Sequence, residues 1–146
     1  MSNCTCDVDI VDLSKDVAAV LSKEFGEYFI AKHNSQVIYD IADLWELHVD
    51  VYPVNLSLET VLRRGQNREY ALHVAIQQRA ASQEAEDLLS RLSSRVLEFL
   101  VRRRYLSGKV FSLNGSFITA SVFDKVTKYK ENVFFSLMEI NFKQWA

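Results

Sequence analysis

Proline and glycine are scarce in this chain. One proline, Pro53, and four glycines are spread over 146 residues. That composition excludes proline-rich linkers, collagen-like repeats and low-complexity segments. It also leaves too few glycines for a phosphate-cradling P-loop or a dinucleotide fingerprint. Cysteine is scarcer still. Cys4 and Cys6 are the only two, closer together than an ordinary zinc pair and with no second pair to complete four ligands. They are expected to be reduced thiols in an N-terminal leader. No apolar run approaches the roughly 20 residues of a transmembrane helix. Met1–Asp7 lacks the basic region and following apolar run of a signal peptide, so a cytosolic protein is expected. An excess of one charge sign is missing too: 17 Lys and Arg against 19 Asp and Glu give a net charge of −2. A nearly balanced chain has no overall electrostatic footprint for nucleic acid or an anionic membrane.

What is present is the material of one globular domain. The chain is 49% hydrophobic and 25% charged, and its length suits a single domain over 1–146. Residues 1–11 are expected to be a flexible leader.

Hydrophobic spacing sets the element order. Leu13, Val17, Leu21 and Phe25 recur every four residues and predict a helix over Leu13–Phe25, capped by Asp12 or Ser14 and stopped by Gly26. Tyr28-Phe29-Ile30 reads as a short strand, His33-Asn34-Ser35 as a turn, and Val37–Tyr39 as further β-type sequence. Trp45, Leu47, Val49, Val51 and Pro53 then alternate with Glu46, His48, Asp50 and Tyr52. That period of two predicts a half-buried strand over Leu44–Tyr52. Proline cannot donate to a ladder, so Pro53 ends the pairing or lies on an edge.

A long connection is expected over Val54–Arg68, with a helical turn near Leu58–Leu62. Connections of that length are often functional, and this one carries Arg63, Arg64 and Arg68. Tyr70–Gln77 predicts a strand with Tyr70, Leu72, Val74 and Ile76 on one face. Its other face, with Ala71, His73 and Ala75, is small or polar and suited to solvent or a second subunit. From Ser82 to Tyr105 an apolar stripe through Leu88, Leu89, Leu92, Val96, Phe99 and Leu100 predicts a long helix. Its acidic start and the Arg102–Arg104 end both suit the helix dipole. Asn114-Gly115 between two apolar runs predicts a hairpin, and Val133–Phe142 a final strand. Helix, strands, long helix, strands is an α+β order. Two amphipathic helices should cover one face of a mainly antiparallel sheet.

Chemistry is thinly signalled. No Gly-x-Ser-x-Gly elbow and no His-Glu-x-x-His are present. If the two central strands pair, His48, Asp50 and His73 could share a polar face, although sheet histidines without a chemical task are the commoner case. Tyrosines and tryptophans exceed what the helical stripes use, which with arginine suits protein interfaces. No catalytic residue, metal or cofactor is expected.

Ala42-Asp43-Leu44 with Leu47-His48-Val49-Asp50-Val51-Tyr52-Pro53 resembles a strand of small tail proteins of long-tailed bacteriophages. The order continues with arginines at Arg63, Arg64 and Arg68, a Tyr70–Gln77 strand, a Glu-rich start to a long helix from Glu84, and a Val133–Leu137 strand. Over about Ile41–Phe142 the chain is similar to the tail terminator family, also called tail completion or head–tail joining proteins. The resemblance implies a structural virion protein of α+β fold, with no catalytic residues. It would form a hexameric ring that caps the tail tube, ends tube polymerisation and presents the head-joining surface. Partners would be further copies of itself, the tail tube protein and a head-side connector, with DNA only in passage and no membrane. Localisation would be the virion, and the host cytoplasm during assembly. Arg63, Arg64 and Arg68 would face the tube, and Ala71, His73 and Ala75 a neighbouring subunit. Three alternatives stay open: another neck or tail protein such as a connector stopper or tube subunit, a small metal-dependent enzyme around His48, Asp50 and His73, and a nucleic-acid module using the arginines.

Overall fold

The computed structural model describes residues 9–34, 41–61, 65–80, 82–103, 105–106, 109–118 and 133–145. Helix α1 spans Ile10–Glu24 and β1 spans Ala31–His33. A 3-10 turn, Ile41–Trp45, leads into β2, His48–Val61, and β3, Gly65–Arg79. Helix α2 covers Gln83–Arg102. The short pair β4, Tyr105–Leu106, and β5, Lys109–Val110, follows, and then β6, Ser112–Phe117, and β7, Val133–Trp145. The main sheet has the order β1-β2-β3-β7-β6. Only β1 and β2 run parallel; β2–β3, β3–β7 and β7–β6 are antiparallel. The fold is a single α+β domain.

Register explains why one face is the core. Val49 pairs with Ile76 and Val51 with Val74. Val74 in turn faces Met138, Leu72 faces Ile140 and Tyr70 faces Phe142. Successive side chains alternate across a strand, so these apolar positions line up on one side, and all are buried. Both helices pack there. Leu13, Val17 and Leu21 of α1 and Leu89, Leu92, Val96 and Leu100 of α2 join the same buried cluster. Each is a large side chain whose full burial is worth about 1.5–3 kcal/mol, an upper estimate for an extended-chain reference. Phe25 meets Phe99 edge-on at 5.7 Å, joining the end of α1 to α2.

Helix boundaries follow caps. Asp9, not Asp12 or Ser14, caps α1, its carboxylate accepting from Val11 N at 2.7 Å and Asp12 N at 3.4 Å. The helix therefore begins at Ile10, inside the stretch expected to be leader. Ser14 is instead buried. Its hydroxyl donates to Val51 O and bonds His33 Nδ1 at 2.7 Å. Ser82, expected as the first helical residue, caps α2 instead, accepting from Ala85 N, and the helix runs over Gln83–Arg102, ending short of the expected Tyr105.

Several expectations are corrected. Ile41–Trp45 is a 3-10 turn, not the start of the alternating strand, and Trp45 is 67% exposed where alternation would have buried it. Tyr28–Ile30 is not a strand; the short strand falls three residues later, at Ala31–His33, on the histidine expected in a turn. The long connection after Val54 is largely a β-ribbon: β2 continues to Val61, including the stretch expected to be helical, and β3 starts at Gly65. Pro53 does not end the ladder. β2 continues past it through a bulge, the register shifting between Pro53 and Asn55. Pro53 lies beyond Val51, the last β2 residue that β1 reaches, on the outer edge where a missing N–H costs least.

The Asn114-Gly115 hairpin is absent as well. Both residues sit inside β6, opposite Asn141 and Ile140 of β7. Gly115 serves packing instead: a Cβ there would lie 2.8 Å from Leu97 Cδ1 and 2.7 Å from Ile140 Cδ1, so its missing side chain lets α2 press onto the sheet. The expected β sequence at Val37–Tyr39 lies outside the described residues. Among the described residues, no helix is long and apolar enough to cross a membrane.

Candidate functional site

The face of the sheet away from the helices carries rows of polar residues set by register. His48 pairs with Gln77, Asp50 with Ala75, Tyr52 with His73 and Asn55 with Ala71. On the far side of β3, His73 faces Glu139 and Ala71 faces Asn141; Ser116 and Asn114 of β6 extend those two rows.

One row forms a connected network. The Tyr52 hydroxyl lies 3.2 Å from His73 Nδ1. His73 Nε2 lies 3.3 Å from Glu139 Oε2. A carboxylate only accepts, so Nε2 carries the proton toward Glu139, and in the neutral ring Nδ1 accepts from the tyrosine. The Tyr52 and His73 rings also meet edge-on, 5.4 Å between centroids. The order carboxylate, imidazole, hydroxyl is that of a nucleophile relay. Burial and then the neighbouring charge of Asp50 raise the Tyr52 pKa above 10.0, which opposes formation of the phenolate that such a relay would need. The geometry suits a network that holds its proton and pins β2, β3 and β7 in register.

The expected site residues separate. His48 and His73 share a face but not a site: His48 stands opposite Gln77, four residues along β3 from His73, roughly 13 Å at the strand rise. His48 Nε2 is bonded to the Asp43 carbonyl at 2.6 Å, and Asp50 is buried. Among the described residues no group of three His, Cys, Asp or Glu side chains could hold a metal ion. Arg68 lies in β3, where it donates to the Tyr70 hydroxyl at 3.3 Å; Arg63 and Arg64 lie outside the described residues. Ala71 and His73 are half-buried. Ala75 is fully buried and Gln77 nearly so, which corrects the expectation that this strand's second face is open along its length. Glu139 was legible only as a polar position of the last strand; the register across β3 is what joins it to His73.

The edges of the sheet are the second feature. β1 covers β2 only over Val49–Val51, so the outer edge of β2 from Pro53 onward has no partner strand among the described residues. Beside it Val54 is 47% and Leu56 37% exposed. At the other end, β6 has β7 on one side only. Its sequence, SLNGSF, holds no charge and no proline, the usual devices that protect an edge from pairing with another chain. Ile118 N donates to Leu137 O. Backbone groups alternate sides along a strand, which points those of Leu113, Gly115 and Phe117 outward.

No family model matches the chain, and no curated protein matches it.

Proposed function

We propose that this chain is a structural assembly protein of the tail terminator kind, which closes into a ring of its own copies, a hexamer by resemblance, and caps a phage tail tube. One observation carries the ring. Four neighbouring strands, β2, β3, β7 and β6, are successively antiparallel, and the outer edge of β2 from Pro53 onward and that of β6 lack a partner strand among the described residues. With an even number of strands, β2 and β6 point in opposite directions. A rotation about an axis along the strands therefore brings the β2 edge of one copy against the β6 edge of the next in antiparallel sense. Such a head-to-tail contact is heterologous and closes when the rotation closes, and closure removes the edges altogether.

The faces agree with that pairing. Leu56 stands opposite Tyr70, on the helix side, and Asn55 opposite Ala71, on the polar side. In β6, Leu113 and Phe117 lie opposite Phe142 and Met138, on the helix side, with Ser112, Asn114 and Ser116 on the polar one. Joined edges would set apolar beside apolar and polar beside polar. In this reading the β2–β3 ribbon, with Arg63 and Arg64 between its strands, meets acidic groups of the tail tube protein, and the opposite rim meets a head-side connector. DNA passes through the ring without being gripped, in keeping with the net charge of −2. The protein acts in the virion and needs no catalytic residue or cofactor.

The test is absolute mass by light scattering over a concentration series, with images of the same fractions. A discrete ring near six subunits is expected. Open tubes of unlimited length would make the chain a tube subunit, and a monomer at every concentration, alone and with tube ends added, would overturn the ring.

A further inference from the structure

Helix α2 carries two adjacent strips on the side that looks toward the end of α1. Positions three, four and seven apart share a helix face. Leu88, Leu92 and Phe99 make one strip; Arg91, Arg95 and Arg102 make the other. Beside them lies a cleft of about 700 Å³ with Leu47, Leu88, Leu89 and Leu92 among its lining residues and Arg91 and Arg95 along it. Tyr28 and Leu88 line it while remaining 52% and 58% exposed, so apolar surface is offered there rather than used in the core. Exposed apolar surface rimmed by polar groups marks interaction sites.

The charge on that rim is set in place. Arg95 lies over the Tyr28 ring at 5.6 Å and the Phe25 ring at 5.8 Å, which orients its guanidinium at the mouth. Among the described residues neither Arg91 nor Arg95 has a carboxylate within ion-pair distance. Among the described residues Glu46 is the one carboxylate lining the cleft, so two guanidinium groups outnumber it. Arg91 and Arg95 are one helical turn apart, about 6 Å along the axis, the spacing of two carboxylates at i and i+4 on a facing helix.

We propose that this cleft is a docking groove for an acidic amphipathic helix of a partner protein, its apolar side chains seated on Leu88 and Leu92 and its carboxylates on Arg91 and Arg95. Helix-in-groove recognition of this kind reads apolar anchors at i, i+3, i+4 and i+7. The groove is lined by α2, by Leu47 just before β2 and by Gln78 near the end of β3, not by residues of the β2 edge after Pro53 or of β6, and the inference does not depend on ring closure.

The test uses the full chain and two synthetic helical peptides with the same leucine spacing, one flanked by glutamates and one by lysines, titrated by calorimetry at low salt. The glutamate peptide should bind at least about ten-fold more tightly than the lysine peptide, and less so as salt is raised. Arg91→Glu with Arg95→Glu should reverse the preference, the paired Gln variant should erase it, and Leu88→Asp should weaken both peptides. Both arginines are exposed, and circular dichroism checks that each variant is folded. Equal affinity for the two peptides, absence of binding by either, or a preference indifferent to the Glu and Gln variants would overturn the groove. A change in oligomer mass on charge reversal would assign it to a second copy of this chain and overturn the partner helix.

Discussion

The Tyr52 hydroxyl reaches His73 Nδ1 at 3.2 Å across the β2–β3 pair, and this contact decides what the neutral ring must do with its other nitrogen. With Nδ1 accepting, Nε2 is the donor, and Glu139 stands 3.3 Å away to receive it. Removing the hydroxyl leaves Nδ1 without that donor. Tyr52→Phe should cost about 1 kcal/mol, the usual net worth of such a bond, and lower the melting temperature by roughly 2–4 °C for a chain of this size.

The same tyrosine gives a pH prediction. Its pKa is raised by burial and by Asp50, so the folded chain holds the phenolic proton more firmly than the unfolded chain does. The stability linked to that difference is present in full below the unfolded pKa, near 10, and is lost as pH rises through the higher folded value. Urea midpoints measured from pH 8 to 11 should fall at the alkaline end, and Tyr52→Phe should flatten the fall. A variant curve parallel to the wild-type curve would remove Tyr52 as its source.

Gly115 separates crowding from backbone freedom. An added Cβ meets the ends of Leu97 and Ile140 below 3 Å and the Glu139 carbonyl at 3.3 Å. The Leu97 and Ile140 methyl ends can shift, so Gly115→Ala should cost about 1 kcal/mol, and Gly115→Val up to about 3 kcal/mol, the range of core overpacking. Leu97→Ala should recover part of either loss in a double-mutant cycle. Strict additivity in denaturation would show that the helix is not what limits the site.

Ring closure through the proposed edges has its own test. In a chain with Cys4 and Cys6 replaced by serine, Asn55→Cys with Asn114→Cys should give a covalent ladder with a short bismaleimide, since both positions lie on the polar side of their edges. Each single variant should give no ladder. Dimers from Asn114→Cys alone would mean two-fold β6 pairing, and rings of correct mass without a ladder would keep the ring and reject these edges.

Arg63→Glu with Arg64→Glu tests the tube contact. The two residues lie between Val61 and Gly65, the last and first residues of the paired strands. The variant should keep the wild-type melting temperature yet fail to stop tube growth in an assembly assay. Normal termination would move the tube contact elsewhere.

Much of the architecture was legible because two periods dominate the chain. The four-residue spacing of Leu13, Val17 and Leu21 and the stripe from Leu89 to Leu100 located both helices, and the alternation of Tyr70 to Ile76 located the central strand. What failed was local chemistry overruled by packing. Asn114-Gly115 has the composition of a tight turn, but the gap under Leu97 needs a residue without a side chain. Trp45 continues the period of Val49 and Val51, yet it is exposed and carries Arg79 over its ring at 4.4 Å. The Tyr52–His73–Glu139 row was invisible for a different reason: alternation assigns a face, and only pairing across three strands assigns neighbours.

The bulge at Val54 inverts the reading frame of β2. Before it, the odd positions Val49 and Val51 face the helices; after it, the even position Leu56 does, opposite Tyr70. One inserted residue thus sets the parity of everything downstream in the ribbon. Deleting Val54 would therefore only remove the bulge, leaving Asn55 opposite Ala71 and Leu56 opposite Tyr70 in an unbroken ladder, whereas deleting one residue further along would act as a frameshift acts on a gene and exchange the two faces from that point onward. A one-residue deletion should therefore be tolerated at Val54 and not between Leu56 and Val61, where the pairing has no spare residue.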